Sequence, residues 1–205
     1  MVGLLMAGSA AIGATRKILE RRRARRELMA RPVLAPETDE GAVVRVTGIV
    51  RAVGAPLVAP ISATACVVYR SRVVSAGGLV RRAFAPRESF AMVPFVIERD
   101  DGKRVEIEGA HALLDLPSLA LAQPRSSDER ERRTSFLRLH GLSANGGGVF
   151  DEVVVAPGAR VSIAGLMMKD IDAAPPEGEA GYRDEAPVVL RLAGDVTHPL
   201  VIGGA

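Results

Sequence analysis

Cysteine is almost absent: Cys66 stands alone among 205 residues. One thiol can form neither an intrachain disulfide nor a cysteine-based zinc cluster, which excludes disulfide-stapled secreted folds and finger or RING modules. Tryptophan is missing, and two tyrosines and five phenylalanines are too few for the aromatic platforms on which single-stranded nucleic acids stack. Lysine is scarce too. Of 27 basic residues only Lys17, Lys103 and Lys169 are lysines, an arginine bias that fits GC-rich coding better than a binding surface.

Recognised catalytic patterns are also lacking. Gly146, Gly147 and Gly148 are not followed by the Lys-Ser/Thr of a phosphate-binding loop. His111, His140 and His198 show none of the close spacings that bring two metal ligands together. Asp115, Asp151 and Glu152 are expected at turns or strand edges, so no general acid-base pair is singled out and no cofactor or metal is called for. Cys66 opens an apolar run (Cys66-Val67-Val68), which reads as a small core side chain before it reads as a nucleophile.

What is present is a divided charge. Residues 1–31 carry eight basic groups against two acidic ones, a net +6, whereas the remaining 174 residues carry 19 against 22, a net −3. The overall pI of about 9.5 therefore reports an N-terminal block and no basic stripe on the body, which argues against nucleic acid as a partner. Met1 to Thr15 is uncharged, and Leu4, Leu5, Met6 and Ile12 are its large apolar side chains. The run is shorter than the ~17–20 residues of a membrane span, but Arg16 and Lys17 can lengthen it by reaching outward. Its basic residues follow the apolar run, the reverse of a secretory signal. Arg16, Lys17, Arg21, Arg22 and Arg23 would contact anionic headgroups, each contributing roughly 1 kcal/mol. The positive-inside rule then keeps the body on the cytoplasmic side. Gly3, Ala7 and Ala11 have the small-xxx-small spacing that lets two such helices pack as a homo-oligomer.

Pro32 and Pro36 stop the basic helix and open a linker over 32–41; residues 42–205 form the body. The body's pattern predicts a mainly β fold, a small barrel or sandwich of about eight or more strands preceded by one N-terminal helix. Val44, Val46 and Val50 alternate with Arg45, Thr47 and Arg51, and Val105 and Ile107 with Arg104, Glu106 and Glu108, as half-buried strands require. Asp101-Gly102, Pro157-Gly158 and Asn145-Gly146 are expected as hairpin turns. Further strands are expected at Cys66–Val74, Ser135–His140 and Val188–Leu192. Residues 123–134 and 173–187 read as solvated loops, and 113–121 as a short helix.

The stretch 48–70 (GIVRAVGAPLVAPISATACVVYR) resembles the opening of the GIDE-type, or BAM (beside-a-membrane), domain. That domain occurs in mitochondrial and chloroplast membrane-anchored ubiquitin ligases and in bacterial relatives. The resemblance rests on Gly48, Pro56-Leu57, Pro60-Ile61-Ser62 and Cys66-Val67-Val68-Tyr69-Arg70, with generic agreement onward to His198–Ile202. It implies a β-rich domain beside a membrane helix, with Gly48, Pro56, Pro60, Cys66, Tyr69 and Arg70 in structural roles. Ala63-Thr64 replaces the usual Thr-Gly, and the chain ends where a second membrane helix would begin. Ubiquitin transfer is not carried over, because the RING cysteines are missing. The expected function is a non-enzymatic, membrane-tethered module that binds an unidentified protein partner. The alternatives are an enzyme using Cys66 or a histidine, and an accessory component of a ubiquitin-ligase-related system.

Overall fold

The computed structural model describes residues 25–35, 38–75, 86–121, 123–143, 148–171, 188–195 and 197–205. In chain order the strands are β1 (Val43–Ala52), β2 (Leu57–Val58), β3 (Ala65–Cys66), β4 (Val68–Ser75), β5 (Arg87–Met92), β6 (Phe95–Glu98), β7 (Arg104–Gly109), β8 (Ala112–Asp115), β9 (Leu119–Leu121), β10 (Gly148–Val155), β11 (Arg160–Ile171), β12 (Val188–Gly194) and β13 (Leu200–Gly204), and helix α1 (Ser127–Leu139) lies between β9 and β10. The chain divides into two compact units, Met1–Gly48 with Ile97–Leu116 and Arg160–Ala205, and Ile49–Val96 with Pro117–Ala159.

The first unit holds a closed five-stranded barrel in the order β1-β6-β7-β12-β11 and back to β1. Counted along the chain these are barrel strands one, two, three, five and four, with the third and fifth parallel. This is the Greek-key connectivity of an OB-type barrel. The alternation read from the sequence is borne out: Val44, Val46, Val50, Val105 and Ile107 are all buried. Asp101-Gly102 makes the β6–β7 hairpin, closed by Arg99 N–H to the Lys103 carbonyl at 2.9 Å. Gly48 meets the need for close approach on β1. A Cβ there would collide with the carbonyl oxygen of Glu98, so only glycine fits. β13 pairs with β11 and, in parallel, with β8, extending the sheet.

The barrel also holds the chain that leads into it. Residues 25–30 are helical, and Leu28 packs with Ala164, Val201 and Leu113. Arg45 N–H then donates to the Pro32 carbonyl at 2.7 Å, and Leu34 N–H to the Arg45 carbonyl at 2.8 Å. Residues 32–34, within the expected linker, are thus bonded alongside β1, with Val33 bridged to Arg45.

The second unit is assembled from two insertions into the barrel's chain path. Its sheet has the order β5-β4-β10-β9, with β2 and β3 forming a separate two-stranded ribbon. Phe136 and Leu137 of α1 pack with Ile61, Val73 and Phe150 in one apolar cluster.

Five expectations are corrected by the structure. Residues 123–134 are not wholly a loop and Ser135–His140 is not a strand, because α1 spans most of both. Ser126 accepts the Glu129 N–H at 3.1 Å and caps it. Asp128 and Glu129 in its first turn and Arg138 in its last complement the helix dipole. Residues 113–121 are β8 and β9, not a helix: Pro117 divides the leucines, and pairing with β13 and β10 outweighs their helix propensity. Pro157-Gly158 is a turn but no hairpin, since β10 pairs with β4 and β9 while β11 pairs with β12 and β13. Glu152 is not at a strand edge; it sits inside β10, fully buried. Asn145-Gly146 and 173–187 lie outside the described residues.

Candidate functional site

The most unusual side chain of the second unit is Glu152, 0% exposed in the middle of the valine-rich β10. A buried carboxylate must be saturated by donors to be tolerated. Three converge on it: Ile61 N–H at 3.1 Å, Ser62 N–H at 2.8 Å, and the Ser71 hydroxyl, directly across the β4–β10 ladder, at 2.6 Å. Glu152 thereby pins the turn between β2 and β3 from below.

That turn is tightly organised. Ala59 N–H donates to the Thr64 carbonyl, Ala63 N–H to the Ala59 carbonyl, and the Ser62 hydroxyl to the Thr64 hydroxyl at 2.8 Å. Ala63 takes φ +59°, the left-handed conformation that disfavours a Cβ. From α1, Arg132 donates Nε–H to the Ile61 carbonyl at 2.9 Å. Both polar groups of the Ile61 residue are therefore held by charged side chains, one from the sheet and one from the helix.

Cys66 lies beside this pin, fully buried, its thiol 3.8 Å from the Leu57 carbonyl. Burial first, and the Glu152 charge second, push the thiol up to about 11, which keeps it protonated at neutral pH. Burial raises the Tyr69 hydroxyl as well, with Cys66 and Glu152 adding to the effect.

Above the turn, α1 presents Asp128, Glu131, Arg132, Ser135, Phe136 and Leu139, one stripe at helical spacing, and with Pro60 they line an open groove of about 540 Å³. Pro60, Phe136 and Leu139 are its apolar lining, Leu139 being 77% exposed, and beside them stand two exposed carboxylates, Asp128 and Glu131, and the Arg132 side chain. The helix's other side is fixed by the buried pair Arg133–Glu129 at 2.5 Å, with the Arg133 guanidinium 5.1 Å from the centre of the Phe150 ring. The Arg125 N–H and Arg133 hold the Glu129 carboxyl below its usual range. His140 closes the helix end, 4.6 Å from Phe136 ring to ring and 3.1 Å from the Ser89 hydroxyl.

Cys66 and Tyr69 lie within electrostatic reach of Glu152, and Pro60 directly precedes Ile61, whose N–H that carboxylate accepts. Arg70 lies on β4 opposite Val153 and Phe90, Pro56 is exposed just before β2, and Gly48 serves the barrel. The histidines stay apart: the His111 carbonyl accepts from Leu200, His140 meets Ser89, and the His198 N–H donates to Asp195. Among the described residues no group of three or more His, Cys, Asp or Glu could hold a metal ion. The residues expected to contact a membrane, Leu4, Leu5, Met6, Ile12, Arg16, Lys17, Arg21, Arg22 and Arg23, lie outside the described residues; among the described residues no helix is long and apolar enough to cross a membrane. Sequence reasoning missed Glu152 and Arg132. The signal for Glu152 was a carboxylate directly preceding three valines, where only saturation by donors allows burial.

No family model, no curated protein and no solved structure matches the chain. The likeness to the GIDE-type domain rests on the residues quoted above.

Proposed function

We propose that the chain is a membrane-tethered β module of the GIDE type that holds a protein partner through the groove beside α1. The observation that carries this reading is the groove's construction. Its Pro60 wall belongs to a turn fixed by Glu152 and Arg132, so the shape is set before any partner arrives. Apolar side chains bordered by charged ones are the usual anatomy of a protein-binding patch. With Arg132 turned to the Ile61 carbonyl, the exposed carboxylates of Asp128 and Glu131 favour a partner segment with an apolar side chain flanked by Arg or Lys. Tethering is supported by the uncharged run 1–15 followed by the polybasic block. The enzyme alternative is disfavoured by the direction of the Cys66 shift, since a thiol pushed up to about 11 is a poor source of thiolate.

Affinity purification of the full chain from membranes, followed by mass spectrometry, tests the reading. A partner retained by the wild type should be lost by Leu139→Lys, which removes the apolar group, repels a basic partner and, as a cation on an exposed position in the last turn of α1, leaves the melting curve unmoved. Equal recovery with both chains would reject the groove. Recovery of the full chain in the soluble fraction at low salt would reject the tether.

A further inference from the structure

We infer that the segment 28–34 and Arg45 form a second membrane-contact surface on the barrel itself, one that lies against anionic lipid. The inference rests on the tethered reading above and adds the barrel face that meets the bilayer.

Four large apolar side chains fall within seven residues, and the fold uses only two of them. Leu28 and Leu34 are each 3% exposed, whereas Met29 and Val33 are 63% and 62% exposed. All four are fixed in place by the Leu28 packing and by the Pro32–Arg45 and Leu34–Arg45 hydrogen bonds. Met29 and Val33 therefore cannot turn inward, so the barrel itself keeps them presented to solvent.

Arg45 links the two outward residues. Its Nη1 lies 3.0 Å from the Met29 sulfur, and its backbone bridges to Val33. Arg25 and Arg31 are exposed in the same stretch. Its single acid, Glu27, is half-buried and already engaged. Apolar side chains among arginines fit an anionic headgroup layer, where the apolar groups enter the acyl boundary and the guanidinium groups meet phosphate.

Chain length names the occupant. Met29 is six residues after Arg23, so even a fully extended chain keeps it within about 20 Å of the arginine triplet. If residues 16–23 lie on the headgroups, the surface of the segment 28–34 is held beside them by covalent connection. A protein partner would have to displace lipid from that position.

The test uses the full chain with Cys66→Ala and an environment-sensitive fluorophore on Met29→Cys or Val33→Cys. Probes are vesicles of phosphatidylcholine with phosphatidylserine, and of phosphatidylcholine alone. With serine-containing vesicles both labels should shift to the blue, brighten about twofold or more, and be quenched by spin-labelled acyl chains, more weakly at high salt. Met29→Asp with Val33→Asp should weaken vesicle binding about tenfold while the melting curve stays put. If the chain floats with the vesicles but both labels keep their aqueous emission, this surface is refuted and the tether stands. If the chain does not float, both fall. A blue shift without lipid, accompanied by dimer on sedimentation, would make this a self-association face and overturn the inference.

Discussion

Ser71 and Glu152 face each other across neighbouring strands, hydroxyl to carboxylate at 2.6 Å, with neither side chain exposed to solvent. The contact joins two insertions that are far apart in the chain, and through Ile61 and Ser62 the same carboxylate shapes the turn that walls the groove. Glu152→Ala leaves three donors without an acceptor and should cost about 3–5 kcal/mol. Glu152→Gln keeps the shape but turns one acceptor into a donor and should cost about half as much. Denaturant midpoints measure both, and a loss under 1 kcal/mol for the alanine variant would remove the pin from the account.

Cys66 carries a pH dependence whose sign follows from its raised thiol. The folded chain holds the thiol up at about 11 from an ordinary 9.0, so the neutral form is favoured in the fold. Its contribution is complete below pH 9.0 and is lost as pH rises toward 11. At pH 8 the native thiolate fraction is about a hundredfold below that of the unfolded chain. Iodoacetamide should therefore label native protein at least that much more slowly. Cys66→Ala should cost about 1 kcal/mol and leave partner binding intact, whereas Cys66→Asp should unfold the second unit by burying a charge. Rapid native labelling, or loss of function at an unchanged melting temperature in Cys66→Ala, would instead identify a reactive thiol.

Ala63 is held at φ +59°, a conformation that costs an L-residue roughly 1–2 kcal/mol and glycine almost nothing. Glycine returns part of that gain through the entropy of the unfolded chain. Ala63→Gly should raise stability by about 0.5–1 kcal/mol, and Ala63→Val should lower it. Thermal melts decide the order.

Gly48 is held by contact alone. Gly48→Ala must push β1 away from the Glu98 carbonyl, and should cost about 3 kcal/mol or more, as overpacking against backbone does. Circular dichroism melts of this variant beside Gly54→Ala, where a Cβ meets nothing within 4 Å, supply the comparison.

Leu28 makes the site of an N-terminal truncation matter. Removing residues 1–24 takes away the apolar run and most of the basic block but keeps Leu28 in its seat. Removing 1–31 leaves an empty site worth about 2–4 kcal/mol for a buried leucine. The shorter deletion should melt close to the full chain, with the longer one clearly below it. Equal melting temperatures would show that the barrel closes without the segment.

The barrel strands could be read from the sequence because their two faces differ. Valines and isoleucines alternate with charged residues along β1 and β7, and a period of two leaves little choice of register. Helix α1 was hidden because its inward positions include Glu129 and Arg133, which are buried against one another. No apolar stripe of helical period results, although Ser126-x-x-Glu129 was a start signal. Glu152 was read as an edge carboxylate because its donors lie 81 to 91 residues away in the chain. No local pattern reports so distant a partner. The fixed segment after residue 24 was obscured by Pro32, which ends the helix but leaves its own carbonyl free to accept from Arg45.

The insertion architecture also sets an order of events during synthesis. β4 and the β2–β3 turn are complete by residue 75, yet the carboxylate that accepts from their donors is 81 residues downstream of Ser71. At ordinary elongation rates this leaves β4 unpaired on its β10 edge for roughly 4 to 16 s. Unpaired strand edges recruit one another. A nascent chain of this design is most exposed to misassembly before β10 emerges, so growth temperature and chaperone supply should govern its yield more than the stability of the finished molecule does.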